Sequence, residues 1–180
     1  MMRRARLVAL LERHVPADAA EAADLERMHA YALDLAEPLS RDQPGAHFTA
    51  SALVVDPDRR RTFLVRHRKL ARWLQPGGHV EPGDGTLLAA ALRETREETG
   101  LTVAAGTDVP LDVDVHEIPA RNGAAAHLHL DLRFLLVADA MGTAEVDPDE
   151  TDGGAWLLRD DALRVADAGL RRLIEKGLPA

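Results

Sequence analysis

Hydrophobic residues change their spacing twice along the chain, and each change predicts a different kind of element. Over residues 3–36 they recur at helical intervals: Leu7, Leu10 and Leu11 form a short stripe, and Leu25, Met28, Ala32 and Leu35 a second one. Pro16 separates the two, and Asp18 with Glu21 three residues on has the form of a capping box. The stretch EPLSRDQPG, 37–45, is a turn-rich linker. From residue 47 the pattern becomes that of strands. HFTASALVVD ends at the turn Asp56-Pro57-Asp58 and RTFLVRH follows, which predicts a hairpin over 47–67. RWLQPGGHVEPGDG reads as a strand fragment and a Gly/Pro loop, and residues 85–99 as a helix closed by Gly100. Strands are expected over 111–118, 127–138 and 155–158, an acidic Gly-rich loop over 144–154, and a helix over 160–177. Helices and strands mix without a regular βαβ alternation, so the fold class is α+β, a mixed sheet with flanking helices. Residues 1–45 read as an N-terminal helical extension and linker packed on a main domain of residues 46–180.

The helix over 85–99 carries an unusual charge pattern. Leu88, Leu92, Thr95 and Thr99 make a narrow stripe for the core, while Glu94, Glu97 and Glu98 share another face, preceded there by the small Ala90 and Ala91, which would leave it open to a ligand. Like charges at these spacings cost a few tenths of a kcal/mol per pair, so roughly 0.3. They also sit toward the helix C-terminus, where the dipole disfavours anions. Arg93, four residues before Glu97, offsets part of this. A solvated helix face is the ordinary explanation of a charge run, but two adverse placements together point to a cation. Clustered carboxylates suit Mg²⁺ or Mn²⁺, hard ions that also bind phosphates.

The loop before the helix sharpens that reading. Gly77, Gly78, Gly83 and Gly85 let backbone approach a ligand closely. The full stretch GGHVEPGDGTLLAAALRETREETGL, 77–101, resembles the Nudix box, G-x5-E-x7-R-E-U-x-E-E-x-G-U with U aliphatic. Gly78, Arg93, Glu94, Glu97, Glu98, Gly100 and Leu101 match it. Asp84 stands where the pattern has Glu, one extra residue lies between Asp84 and Arg93, and Thr95 replaces an aliphatic residue. The insertion falls at the loop–helix junction, which puts the loop register in question and spares the glutamate face. WLQPGG, and the later AWLL followed by RDDAL, are also similar to the family's usual entry and ending, so the resemblance spans about residues 47–178.

That resemblance implies a Nudix-like mixed sheet between helices and a metal-dependent diphosphatase with Mg²⁺ or Mn²⁺. It makes Glu94, Glu97, Glu98 and the Gly78 carbonyl metal ligands and has Arg93 orient Glu97. Glu94 is the first choice for activating water. In some relatives a later loop supplies that base, and here Glu150 in EVDPDETD is the alternative. The implied substrate is a small molecule, a nucleoside diphosphate derivative or related diphosphate. Two rival readings are a non-catalytic ligand-binding module of the same fold and an enzyme similar to isopentenyl diphosphate isomerase. His47 and His79 occupy places similar to that isomerase's metal-binding histidines. Its cysteine is missing, however, since Gly77 stands in that place.

The box leaves several polar residues unexplained. In HLHLDLRF, 127–134, His127, His129, Asp131 and Arg133 alternate with Leu128, Leu130, Leu132 and Phe134; in LDVDVH, 111–116, Asp112, Asp114 and His116 share one side. Paired as a hairpin, the two strands merge their polar faces. His47, His79, His127 and His129 are then candidates for a second metal site, against the alternative of a polar face that binds substrate or is simply wet. Arg66, Arg68, His79 and Arg133 are candidate substrate-binding residues, and Trp73 a candidate stacking surface.

Composition adds exclusions. The chain has 180 residues, 46% hydrophobic and 29% charged, with net charge -8. An acidic balance argues against a nucleic-acid backbone as the main partner. With no cysteine there are no disulfides, thiolate metal sites or thiol nucleophile. The run LVALL in the opening residues is shorter than the roughly 7–15 apolar residues of a signal peptide. No stretch approaches the roughly 18 of a membrane span. The expectation is a cytoplasmic protein without a membrane partner, and a homodimer as the default assembly.

Overall fold

The computed structural model describes residues 4–68, 71–120, 125–146 and 151–180. Two helices come first, α1 (Arg4–Glu12) and α2 (Ala19–Asp34). Strands β1 (Ala46–Val55), β2 (Arg61–His67), β3 (Arg72–Leu74) and β4 (Gly77–His79) precede helix α3 (Leu87–Thr99). Then come β5 (Val103–Ala105), β6 (Asp112–Ile118), β7 (His127–Ala138) and β8 (Thr151–Leu158), and finally α4 (Arg159–Val165) and α5 (Ala168–Gly177). The expected hairpins form: β1 pairs antiparallel with β2, and β6 with β7. All strands join one mixed sheet, in which β1 and β7 lie side by side in parallel, from Ala46↔Leu128 to Val55↔Val137.

Side-chain alternation on β1 and β7 decides which helices cover which face. Even-numbered residues are apolar throughout: Phe48, Ala50, Ala52 and Val54 on β1, Leu130, Leu132, Phe134 and Leu136 on β7, all buried. They form one core with Leu7, Leu11, Met28 and Ala32 of the N-terminal helices and Leu87, Ala90 and Ala91 of α3. Odd-numbered residues divide. Leu53, Val55 and Leu135 pack under α4 and α5 in a second core with Leu170, Leu173 and Ile174. The first halves of the same strands present His47, Thr49 and Ser51 beside His127, His129, Asp131 and Arg133. One sheet face is thus wholly apolar and the other half polar, and a broad cleft of ≈ 2560 Å³ opens over the polar half.

Three sequence expectations change in detail. Ala90 and Ala91 are 0% exposed, so they build the core and do not keep the glutamate face open. The helix over 160–177 is two helices, because the Asp167 side chain accepts from the Leu170 N–H at 3.0 Å and caps a new start. The expected strand 155–158 begins earlier, at Thr151, because Gly154 pairs opposite Val65 and Thr151 opposite His67 across a bulge. A Cβ on Gly154 would lie 2.5 Å from the Phe63 ring, so the close approach requires glycine. Two short strands, β4 and β5, fall outside the expected ones, because three residues each are too brief to show a period.

The N-terminal arm is fastened by a buried charge. Asp18 caps α2 by accepting from the Glu21 N–H at 2.8 Å, the expected half of the capping box. The reciprocal half does not form. Glu21 is 0% exposed and turns inward, where it accepts from the Ala17 N–H at 2.6 Å, the Val113 N–H at 3.1 Å and Lys176 Nζ at 2.6 Å. His14 Nε2 lies 2.8 Å away. Burial opposes ionisation, but the bonds from His14, Ala17 and Lys176 outweigh it and hold the carboxyl well below the usual range.

This carboxylate therefore contributes stability above its unfolded pKa of about 4.3, and loses it as pH falls toward the folded value. Glu21→Gln is expected to cost about 3 kcal/mol at pH 7, since it removes a buried carboxylate that the partly buried Lys176 and two backbone amides bond to. The gap between wild type and variant should narrow as pH falls below about 4. Urea unfolding at a series of pH values measures this, and a gap that stays constant with pH would sink the assignment.

Candidate functional site

The cleft is walled on one side by the box loop and α3. Gly77 has φ +153 and lies so close to β1 that a Cβ would sit 2.2 Å from the Ser51 Cβ. A Cβ on Gly78 would lie 2.7 Å from the Glu94 carboxylate, so the backbone there touches the acidic face directly. Asp84 closes the loop by accepting from the Glu81 N–H at 2.8 Å, while its own N–H donates to the Glu81 carbonyl at 2.9 Å. Thr86 then caps α3 by accepting from the Ala89 N–H. The extra residue is absorbed between these two turns, and the helix face beyond it keeps its phase. Gly100 ends the helix at φ +66.

Arg93 organises the acidic face. Its Nη1 donates to Glu94 and Glu97, each at 2.9 Å, and its Nη2 donates to Asp84 and to the His79 carbonyl, also at 2.9 Å. One guanidinium therefore fixes helix, loop and strand β4 together. The Asp84 bond comes first among the causes that raise its own pKa. Asp84 is shorter than the family's Glu, yet its carboxylate reaches the same guanidinium by two oxygens. Arg93 thus bonds to Glu97, the residue it was expected to orient, and to Glu94 as well.

The three glutamates differ in surroundings. Glu94 is largely buried; burial pushes its carboxyl up, as do Glu97 and Glu81 nearby, against the pull of Arg93. Glu97 is exposed. Glu98 accepts from the Gly77 N–H at 3.2 Å. All three line the cleft with Gly78. Thr95, in place of an aliphatic residue, is 0% exposed, as the core stripe predicts, and its hydroxyl has no hydrogen-bond partner among the described residues.

The opposite wall is the polar half-face of β1, β6 and β7. Asp131 accepts from Thr49 at 3.0 Å and Ser51 at 2.6 Å, two residues the sequence reading passed over. The alternation of His47, Thr49 and Ser51 along β1 contained that signal. Arg133 is 4% exposed and its guanidinium lies among Asp112 at 3.3 Å, Asp114 at 2.8 Å and Asp131 at 3.3 Å. It also donates to the Gly169 carbonyl. With its donors committed to three carboxylates, Arg133 organises the cleft wall, and its surroundings do not favour substrate binding. Asp114, held down to about 2, is opposed by burial but stabilised by His116 and the arginines.

The other candidates divide. His79 lines the cleft; Arg66 and Arg68 do not. Arg68 pairs with Asp152 at 2.7 Å, and Arg66 is exposed opposite Trp73 in the β2–β3 pair. Trp73 packs beside the second core, so the expected stacking surface is occupied by the protein itself. Glu150 lies outside the described residues, as do Asp147 and Asp149. His47, His127 and His129 come together on the odd face, with His79 beside them.

The Gly78–Glu94 contact gives a test that needs no substrate. Gly78→Ala should displace Glu94, loosen the Arg93 network and lower stability by about 1–3 kcal/mol. A thermal melt reads this, and an unchanged melting temperature would show that the contact is not tight.

Comparison with known proteins agrees with this architecture. The NUDIX domain family matches residues 45–176. Among solved structures, a Nudix-family hydrolase from Clostridium perfringens superposes with TM-score 0.57 at 19% identity, covering 72% of this chain and 95% of its own. The C. elegans Ap4A hydrolase, in a binary complex, gives 0.56 at 21% identity, with 72% and 93% covered. The E. coli dihydroneopterin triphosphate pyrophosphohydrolase gives 0.54 at 20%, with 72% and 92% covered. No curated protein matches the chain. With the family covering most of the sequence and the box residues gathered on one cleft wall, the chain belongs to the Nudix superfamily and is a Nudix-type hydrolase.

Proposed function

We propose that the chain hydrolyses a diphosphate bond in a small molecule, a nucleoside diphosphate-linked compound or a related diphosphate, with Mg²⁺ or Mn²⁺. The observation that carries this is the set of oxygen donors held on one wall: Glu94 and Glu97 gripped by Arg93, Glu98 bonded to the Gly77 N–H, and Gly78 against Glu94. Such a donor set fits a hard divalent ion, and the glycine leaves room that a side chain would fill. Glu94, Glu97, Glu98 and the Gly78 carbonyl would hold the metal. When bound, the metal neutralises phosphate charge and lowers the pKa of water. Arg93 keeps the carboxylates in place and Glu94 is assigned the proton of the attacking water. Two structural neighbours are named for substrates that contain a polyphosphate chain, Ap4A and dihydroneopterin triphosphate, which supports the substrate class. No described helix is long and apolar enough to cross a membrane. The acidic balance supports a small-molecule substrate over a nucleic acid.

The test is product release from a panel of nucleoside diphosphates, triphosphates, sugar nucleotides and isoprenoid diphosphates, with Mg²⁺ and with Mn²⁺. Turnover should require metal, and the double variant Glu97→Gln, Glu98→Gln should lose about 100-fold or more in kcat. Turnover unchanged in that variant would mean the acidic face is not the catalytic wall. Arg93→Ala should behave differently, because it acts through its partners. The metal concentration for half-maximal rate should rise about 10–100-fold, with much of kcat recovered at saturating metal.

A further inference from the structure

Five histidines crowd the polar half-face, and the glutamate chemistry uses none of them. His47 lies opposite His129 in the parallel β1–β7 register. Ring centroids are 4.9 Å apart for His47 and His129, 5.1 Å for His47 and His127, and 5.2 Å for His127 and His129. One ring nitrogen from each of these three lies within 4.8 Å of the others. His79 stands at the rim, 5.1 Å from both His47 and His129.

The protonation chemistry of this group is one-sided. Burial, then the neighbouring rings His79 and His127, lower His47 to about 4. Burial and four surrounding histidines lower His129 to about 2. At neutral pH both are neutral, and each then carries one N–H and one lone pair that need partners. Among the described residues three of these four nitrogens meet no partner within hydrogen-bond geometry. His47 is 2% exposed, and neither of its ring nitrogens has a hydrogen-bond partner among the described residues; the Nε2 of His129 is in the same position. His127 is already oriented: its Nδ1 lies 3.0 Å from the Ala125 carbonyl, which can only accept, so Nδ1 carries the proton and Nε2 the lone pair. A histidine held in this way by a backbone carbonyl is the usual arrangement behind a metal-ligating imidazole.

We propose that His47, His127 and His129 bind a divalent transition ion, Zn²⁺ foremost, at the strand-side wall of the cleft. Three imidazoles with no carboxylate or thiolate among them suit Zn²⁺, Co²⁺, Ni²⁺ and Cu²⁺ and are poor ligands for Mg²⁺. Bonds of about 2.0–2.1 Å to a tetrahedral ion need ring nitrogens roughly 3.4 Å apart, so the rings close by about 1 Å on binding. His127 and His129 are only partly buried, so their rings are not fully enclosed by neighbours. His79 borders the fourth position, and its carbonyl accepts from Arg93. The chain would then hold two sites of different chemistry on one cleft, oxygen-based on α3 and nitrogen-based on the sheet.

The experiment uses the untagged full chain, stripped with a chelator and kept in excess Mg²⁺ so that the carboxylates are occupied. Co²⁺ is titrated as a visible-absorption probe and Zn²⁺ as its competitor. One equivalent of Co²⁺ should bind with the spectrum of nitrogen ligation and be displaced by Zn²⁺, and Zn²⁺ should raise the melting temperature. His127→Gln and His129→Asn should each weaken Co²⁺ binding by about 100-fold. Glu97→Gln with Glu98→Gln should leave it intact. His127 lies at a strand end and is half-exposed, so its variant folds even if the His129 variant does not, and circular dichroism checks both. The proposal is overturned if the wild type takes up no stoichiometric Co²⁺. It is also overturned if binding survives undiminished in His127→Gln, or is lost in the glutamate variant instead. Turnover is not read, so failure here leaves the hydrolase reading standing.

Discussion

The parallel pairing of β1 with β7 is the constraint on which the rest of the molecule depends. Parallel neighbours cannot be joined by a tight turn, so the chain between them must leave the sheet and return. Residues 56–126 make that excursion, and they carry the box loop, α3 and four further strands that pair with β1 or β7. The same register puts Phe48 beside Leu130 on one face and His47 beside His129 on the other. A slip of one residue would bring His47, Thr49 and Ser51 into the core in place of Phe48, Ala50 and Ala52, so the apolar face locks the register and the polar face inherits it.

Electrostatics does the remaining positioning, and it does so by pairing charges locally. Arg93 satisfies three carboxylates and a carbonyl on one wall. Arg133 and Arg172 do the same for Asp112 and Asp114 on the other. An acidic chain can therefore build a rigid cleft without self-repulsion opening it. The glutamates left toward the cleft retain an excess of negative charge, which a divalent ion is suited to balance before an anionic substrate arrives.

Much of this was legible in the sequence. The box spacing located the acidic face because a helix repeats at fixed intervals, and the insertion of one residue before Thr86 falls outside that repeat. The alternation in HLHLDLRF gave both the core side and the histidine side of β7 correctly. What was hidden depended on contacts between distant segments. Arg133 looked available although the expected hairpin set Asp112 and Asp114 on its side of the sheet, since alternation gives the face and not the distances that engage its donors. Ala90 and Ala91 looked like a clearing because small residues serve equally at an open face and at a close helix–sheet contact. Thr49 and Ser51 lay within a stretch read only as a strand, and only the β7 register reveals Asp131 as their partner.

The inward turn of Glu21 bears on how such a protein can change over generations. The two leading helices look like an accessory to a domain that the family pattern begins only at residue 45. Yet Glu21 is the acceptor for the Val113 amide and for Lys176, and Lys176 in turn reaches Asp112. Without the helices the Val113 amide would face water and Lys176 would keep only its 3.4 Å contact with Asp112. Loss of the arm therefore shifts the charge balance around Asp112 as well as the packing, so arm and domain are bound to change together.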